Sequence, residues 1–163
     1  MAVVTKPFAF EGSQRIKIAQ DGLARLKDKV DTLVVVPNDR IFGIIDKNTS
    51  LIKAFQAIDD VLRNAVQAVT ELLIIPGLVN VDFADIKAVM KDAGSAIIGV
   101  GVAAGGDRSL KAVTAAVNSS LLELSIEGAK GVLFCVSGRD LKMAEINEIA
   151  KTISETIDQG AKI

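Results

Sequence analysis

The sequence predicts an α/β fold built on a parallel or mixed sheet. Along its 163 residues, short β-branched runs alternate with amphipathic helical periods, giving roughly four strands and five helices. Proline or glycine closes the apolar segments, as at Pro37, Pro76-Gly77 and Gly94. Thr32 to Val36 is a continuous β-branched run, the pattern of a strand buried on both faces.

Each element has its own signal. Ala2-Val3-Val4-Thr5 reads as a short buried strand closed by Lys6-Pro7, with Phe8 to Gly12 as a connection. Ser13 stands where a cap belongs, before a helix to about Lys29 with Ile16, Ala19, Leu23 and Leu26 on one face. Asn38-Asp39-Arg40 follows the Thr32 strand, at the carboxyl end where ligands gather in open α/β sheets. From about Thr49 to Ile75, Leu51, Phe55, Ile58, Leu62, Val66, Val69 and Leu73 recur at helical spacing. At 1.5 Å per residue that helix is about 40 Å long, enough to cross a whole domain. Pro76-Gly77 stops it, Leu78 to Val81 is a link, and Asp82 opens a helix to about Asp92. Ser95 to Ala103 reads as a glycine-bearing strand and Gly105-Gly106 as a turn. Arg108 to about Asn118 is helical, and Gly131 to Val136 is another strand. A last helix runs from Asp140 to about Gln159, with Ile146, Ile149, Ile153 and Ile157 inward. The chain opens inside a strand and closes just after a helix, so both ends look cut.

Composition excludes several classes of function. Lys plus Arg is 19 and Asp plus Glu is 20, a balance that argues against a nucleic-acid binder. There is no histidine, which removes Ser/His/Asp and Cys/His catalysis and histidine-ligated zinc together. The single cysteine, Cys135, excludes an internal disulfide and a cysteine-cluster metal site. Its apolar neighbours suggest a buried, inert thiol. The weakly polar stretch Ala96 to Ala104 falls short of the roughly 18 apolar residues of a membrane span. Lys6 and Pro7 sit where a signal peptide would need its apolar centre, so the cytoplasm is expected.

Three groups of residues could carry chemistry, and each has a plain structural alternative. Asn80-Val81-Asp82-Phe83-Ala84-Asp85 places two carboxylates on one turn at a helix start, with an amide before them, able to hold water or a hydrated cation. Equally, Asp82 as N-cap with Asp85 at the third position is a variant of the capping box. Phe55 and Asp59 share a helix face, so a flat base could stack on the ring while the carboxylate accepts from its edge; guanine presents two suitable donors. Alternatively Phe55 is core and Asp59 pairs with Arg63. Glu11 and Arg15 could meet a ribose and a phosphate, or form a surface ion pair. Gly99-Val100-Gly101 and Gly105-Gly106 do not match the phosphate-loop pattern G-x-x-x-x-G-K-[ST] and read better as strand and turn glycines.

Taken together, Thr5 to Phe8, Phe10 to Gly12, Asp31 to Leu33, Val36 to Arg40, Pro76 to Asp85 and Gly99 to Ala103 resemble FtsZ, the bacterial tubulin-like division GTPase. The resemblance runs over nearly the whole chain, in order. It implies a tubulin/FtsZ-like α/β fold: residues 1–48 as the end of a parallel Rossmann-like GTP-binding domain, 49–76 as a central helix, and 77–163 as an incomplete mixed-sheet activation domain. The family's glycine-rich phosphate loop, its final strands and its adaptor-binding C-terminal tail have no counterpart in this sequence. By position, Glu11 and Arg15 match ribose-side contacts of GTP or GDP, Asn38 and Asp59 the guanine contacts, and Phe55 the stacking ring. Asp60 is an alternative to Asp59. Asn80, Asp82 and Asp85 match the synergy loop, which in this family completes the GTP site of the next subunit in a head-to-tail filament. Magnesium is expected to accompany the nucleotide; no metal site of the chain's own is expected.

A carboxylate at its ordinary value near 4 is a poor base, and phosphoryl transfer needs in-line water and charge balance more than proton removal. The synergy-loop acids would therefore orient the attacking water. The resemblance thus implies a cytoplasmic cell-division GTPase of the Z-ring at the division site, its partners other FtsZ subunits, without nucleic acid or direct membrane contact. Without a phosphate loop, this chain alone should not turn over GTP. The alternative from another class is a non-hydrolysing FtsZ-like filament-end binder or regulator.

Overall fold

The structure, a computed structural model, describes residues 1–43, 45–46, 48–75, 82–118 and 125–162. The expected stop at Pro76-Gly77, the link Leu78 to Val81 and the candidate Asn80 lie outside the described residues. Three parallel strands form one sheet in the order β1 (Ala2–Lys6), β2 (Thr32–Pro37), β3 (Gly94–Ala96). Ala2 stands opposite Leu33, and Thr32 opposite Gly94. The central strand β2 buries Thr32, Leu33, Val34 and Val36, as its unbroken β-branched run requires. Every strand pairing among the described residues is parallel, including the isolated bridge between Gly131 and Lys162.

Five α-helices accompany the sheet: α1 (Ser13–Lys27), α2 (Leu51–Ile74), α3 (Phe83–Met90), α4 (Arg108–Val117) and α5 (Met143–Thr156). Ile16, Ala19, Leu23 and Leu26 make the half-buried face of α1, at the expected spacing. Its cap differs from expectation. Gly12, at φ 97°, is the N-cap and Ser13 is the first helical residue, so no side chain caps this helix. Helix α2 is capped by Ser50, whose side chain accepts from the Lys53 amide at 3.5 Å. Its buried line passes through Ala54, Ile58 and Ala65. The expected stripe is turned relative to it, leaving Leu51, Phe55, Val66 and Leu73 exposed.

Two cores result. One joins Phe8, Ile41 and Ile58, behind the sheet's C-terminal edge. The other joins Val113 of α4 to Ile149, Ile153 and Ile157 of α5 and its C-terminal flank. Ile146 is only half-buried. A two-pronged ion pair fixes these helices: Arg108 Nε and Nη2 donate to Glu145 Oε1 and Oε2 at 2.6 and 2.9 Å.

Two expected strands are reduced. The strand expected over Ser95 to Ala103 is cut to Gly94–Ala96, and the Gly131 to Val136 segment keeps a single bridge. The described residues therefore hold three strands where four were expected. The side chains still alternate. Gly99 and Gly101 lie flush on α4, while Val100 and Val102 face outward. A Cβ on Gly101 would sit 1.8 Å from the Ala112 carbonyl oxygen, and one on Gly99 2.0 Å from that of Ala116. These glycines permit close helix approach, which accounts for them without any phosphate. The same alternation corrects the reading of Cys135: Val132, Phe134 and Val136 pack on the α4–α5 core, and the thiol between them is exposed.

Two outcomes follow from this packing. Gly101→Ala should destabilise by about 1–3 kcal/mol through overpacking, whereas Gly106→Ala, with open space around it, should be near neutral; urea unfolding distinguishes them. The second concerns Glu145, which the Arg108 fork, and then the Lys142 amide, hold at about 2 against an ordinary 4.5. Between those values the unfolded chain binds the extra proton, so this contribution is complete above about pH 4.5 and is lost as pH falls toward 2. The wild-type advantage over Arg108→Ala in urea midpoint should shrink across that window.

Candidate nucleoside-binding site

The loops following β1 and β2 meet at the C-terminal edge of the sheet. Phe8, entirely buried, is their centre. Its ring stacks on Phe10 at 4.8 Å between centroids, tilts against Phe42 at 5.5 Å, and meets Phe55 edge-on at 5.4 Å. Four of the six phenylalanines thus form one cluster, with Phe10, Phe42 and Phe55 presenting ring surface to solvent. Phe55 is 42% exposed, so it is not the core residue of the plainer reading.

Polar groups border this cluster. The Phe8 amide donates to Glu11 Oε1 at 2.9 Å, and Arg15 Nη1 donates to Glu11 Oε2 at 2.5 Å. The backbone donor, and then Arg15, hold the Glu11 carboxyl below its ordinary value of 4.5. Asn38 is buried, and its Oδ1 has no hydrogen-bond partner among the described residues. An orphaned acceptor of this kind is uncommon and suits an incoming donor. The neighbouring Asp39 accepts from the Ala9 amide at 3.1 Å, tying the two loops together.

The acids on α2 divide their roles. Arg63 pairs with Asp60, Nη1 to Oδ1 at 2.6 Å, and not with Asp59 as the sequence suggested. Asp59 is exposed and has no ion-pair partner among the described residues, so its carboxylate is open to a ligand.

Asp82 and Asp85 are both exposed, at the start of α3. Asp82 Oδ1 accepts from the Asp85 amide at 2.9 Å, the N-cap of the structural reading. Capping occupies one oxygen, and both carboxylates still face solvent. Helix α3 ends at the opposite edge of the sheet: the Thr32 hydroxyl donates to the Met90 carbonyl, and the Gly94 amide to the Asp31 carbonyl at 2.8 Å. Glu11 and Phe55 therefore meet at Phe8, and Asn38 adjoins the Asp39 link to the same loop, whereas the hydrogen bond of Asp82 is made within its own helix start. Among the described residues no three histidine, cysteine, aspartate or glutamate side chains gather as a metal site, and no helix is long and apolar enough to cross a membrane.

The chain is similar to known proteins in both sequence and fold. Residues 94–163 match the model of the FtsZ family, C-terminal domain. A solved structure from M. jannaschii, an empty FtsZ dimer, aligns with 99% of the chain at 45% identity and a TM-score of 0.89. The chain belongs to the FtsZ family. An FtsZ W319Y mutant structure from M. jannaschii aligns equally, at 45% identity, 99% coverage and a TM-score of 0.89. This FtsZ-family chain spans 47% and 49% of those two chains, about half their length. Its α/β architecture with a parallel sheet is the tubulin-like one that the resemblance implies.

Sequence reading singled out Phe55 alone among the clustered rings as a ligand contact; Phe8, Phe10 and Asp39 entered only within the connection after β1, the motifs of the resemblance and the run after β2, and Phe42 was overlooked. In a chain with no Trp or Tyr, the gathering of phenylalanines after β1 and β2 was the available signal. Carboxyl titration by NMR provides a test of the Glu11 environment. Arg15→Ala should raise the Glu11 value only part of the way to 4.5, because the larger cause, the Phe8 amide, remains.

Proposed function

We propose that this protein is a GTP-dependent, head-to-tail filament component of the cell-division ring, a GTPase by family, and that it carries two half-sites at opposite ends. Residues 1–48 belong to the GTP-binding domain, 49–76 form the central helix and 77–163 belong to the activation domain. At one end, Phe55 stacks on guanine, Asn38 and Asp59 accept from its edge, and Glu11 and Arg15 contact the ribose side. At the other, Asp82 and Asp85, with Asn80, orient the water that attacks a triphosphate held by the next subunit. The observation that carries this reading is the buried Asn38 Oδ1, which has no hydrogen-bond partner among the described residues and sits on the loop that Asp39 ties to the Phe8 cluster. The acids of the other half-site, Asp82 and Asp85, are exposed at a capped helix start.

The unpartnered Asn38 Oδ1 and the exposed Asp59 carboxylate supply acceptors beside an aromatic surface, which matches a flat ring with N–H donors on its edge. Adenine offers a different donor pattern there, so the acceptor pair favours guanine. Magnesium fits less well to the chain's own residues. Asp82 and Asp85 are two acids without a third donor among the described residues, and this ion is commonly held by nucleotide phosphates and waters. No step is assigned to it.

The two half-sites should separate by mutation. Phe55→Ala should weaken binding of a fluorescent guanosine nucleotide by about tenfold or more, the worth of one stacking contact. Asp82→Ala should leave that affinity unchanged, yet abolish any effect of the chain on phosphate release by M. jannaschii FtsZ filaments. An Asp82→Ala chain that alters phosphate release as the wild type does would overturn the shared-site reading.

A further inference from the structure

We propose that Asp39 is a positioning residue for nucleoside recognition: its carboxylate holds the loop carrying Phe8, Phe10 and Glu11 in register with the loop carrying Asn38. The proposal rests on the guanine reading above and adds the element that makes its two loops act together. The loop after β1 closes on itself, since the Phe8 amide is spent on Glu11. The next amide, that of Ala9, is free of this turn and donates instead to Asp39 Oδ1 across thirty positions of sequence. Asp39 directly follows Asn38 in a 3-10 turn spanning Asn38–Gly43. Fixing the Asp39 carboxylate therefore fixes the backbone from which the buried Asn38 side chain projects.

Apolar contacts also join these loops, Phe8 against Ile41 and against the Phe42 ring. Dispersion contacts of that kind hold the loops close but tolerate sliding, whereas a hydrogen bond sets direction. Register matters because the partner groups must meet one planar ligand at the same time. Glu11 lies on one loop and Asn38 on the other, and a shift of an ångström would leave the Asn38 oxygen facing no donor. Asp39 itself is exposed, so its place is explained by this link and not by packing.

The test compares the 163-residue chain with Asp39→Ala and Asp39→Asn, using guanosine and adenosine as probes in NMR titrations. Asp39→Ala should weaken guanosine binding by about fivefold, with a smaller loss for adenosine, so that the preference between the two bases falls. The Ala9 amide should exchange faster, with the melting temperature unchanged. Asp39→Asn retains an oxygen acceptor and should keep both the affinity and the Ala9 protection. Unchanged base preference in an Asp39→Ala chain whose Ala9 amide has lost protection would refute the positioning role. Unchanged Ala9 exchange would refute the link itself. A wild-type chain that binds guanosine no better than adenosine would bring down the guanine reading, and the positioning role with it, while the exchange data would still report whether the link exists.

Discussion

The arrangement of this protein's candidate site depends on the burial of one ring. Phe8 has no exposed surface and sits where the exit of β1, the turn after β2 and the second turn of α2 converge. Removing a buried phenylalanine side chain typically costs about 3–5 kcal/mol, because the lost transfer energy is joined by a cavity. Here the consequence is also geometric. The three exposed rings and the Glu11 carboxylate take their positions from contacts with Phe8 or with its backbone. A packing decision in the core therefore sets the surface that a ligand would meet.

The second constraint is length. Helix α2 has 24 residues, about 36 Å, while a six-residue strand covers only about 20 Å. A helix of that length that starts beside Phe8 outspans the strands it accompanies. The chain re-enters the sheet at Gly94, beside Thr32 at the start of β2. The acids Asp82 and Asp85 come between the two in sequence, and on the proposed reading it is this helix length that sets them apart from Phe55.

Much of this was legible in the sequence, and what was not has physical reasons. The five helices were visible because 3.6-residue periodicity is a local property, and β2 because a strand buried on both faces is apolar at every position. The segments from Ser95 and Gly131 misled because alternation records which way side chains point, whereas a strand also needs a hydrogen-bonded neighbour. Gly99 and Gly101 suggested strand or loop glycines, but their cause is the backbone of a helix that follows them in sequence. Cys135 was misjudged by averaging over its neighbours, when the period of two sets it on the side opposite Val132, Phe134 and Val136. At the candidate site, Glu11, Asn38, Phe55 and Asp59 were raised by spacing and position and given their roles by resemblance, while the Phe8 hub and the Asp39 link are contacts between distant segments that no local pattern encodes. The choice of Asp60 over Asp59 by Arg63 is of the same kind: three- and four-residue spacings are both allowed on a helix, and side-chain geometry selects one.

On the proposed reading, the wide separation of the two half-sites is the device that couples chemistry to assembly. A single chain that held both would hydrolyse nucleotide wherever it met it. Splitting the site leaves the base contacts competent to bind but supplies the water-orienting acids only when another subunit docks. This demands that the lent acids be exposed and held in direction, and both conditions appear at Asp82 and Asp85. The helix cap fixes the turn from which they project, since Asp82 Oδ1 is engaged by the Asp85 amide. Their exposure leaves the remaining oxygens unspent. A cap and a catalytic contribution are thus not competing explanations of these residues. The cap supplies the rigidity that positioning a water molecule requires, because a carboxylate on a frayed helix end would lose in orientation what it gained in reach.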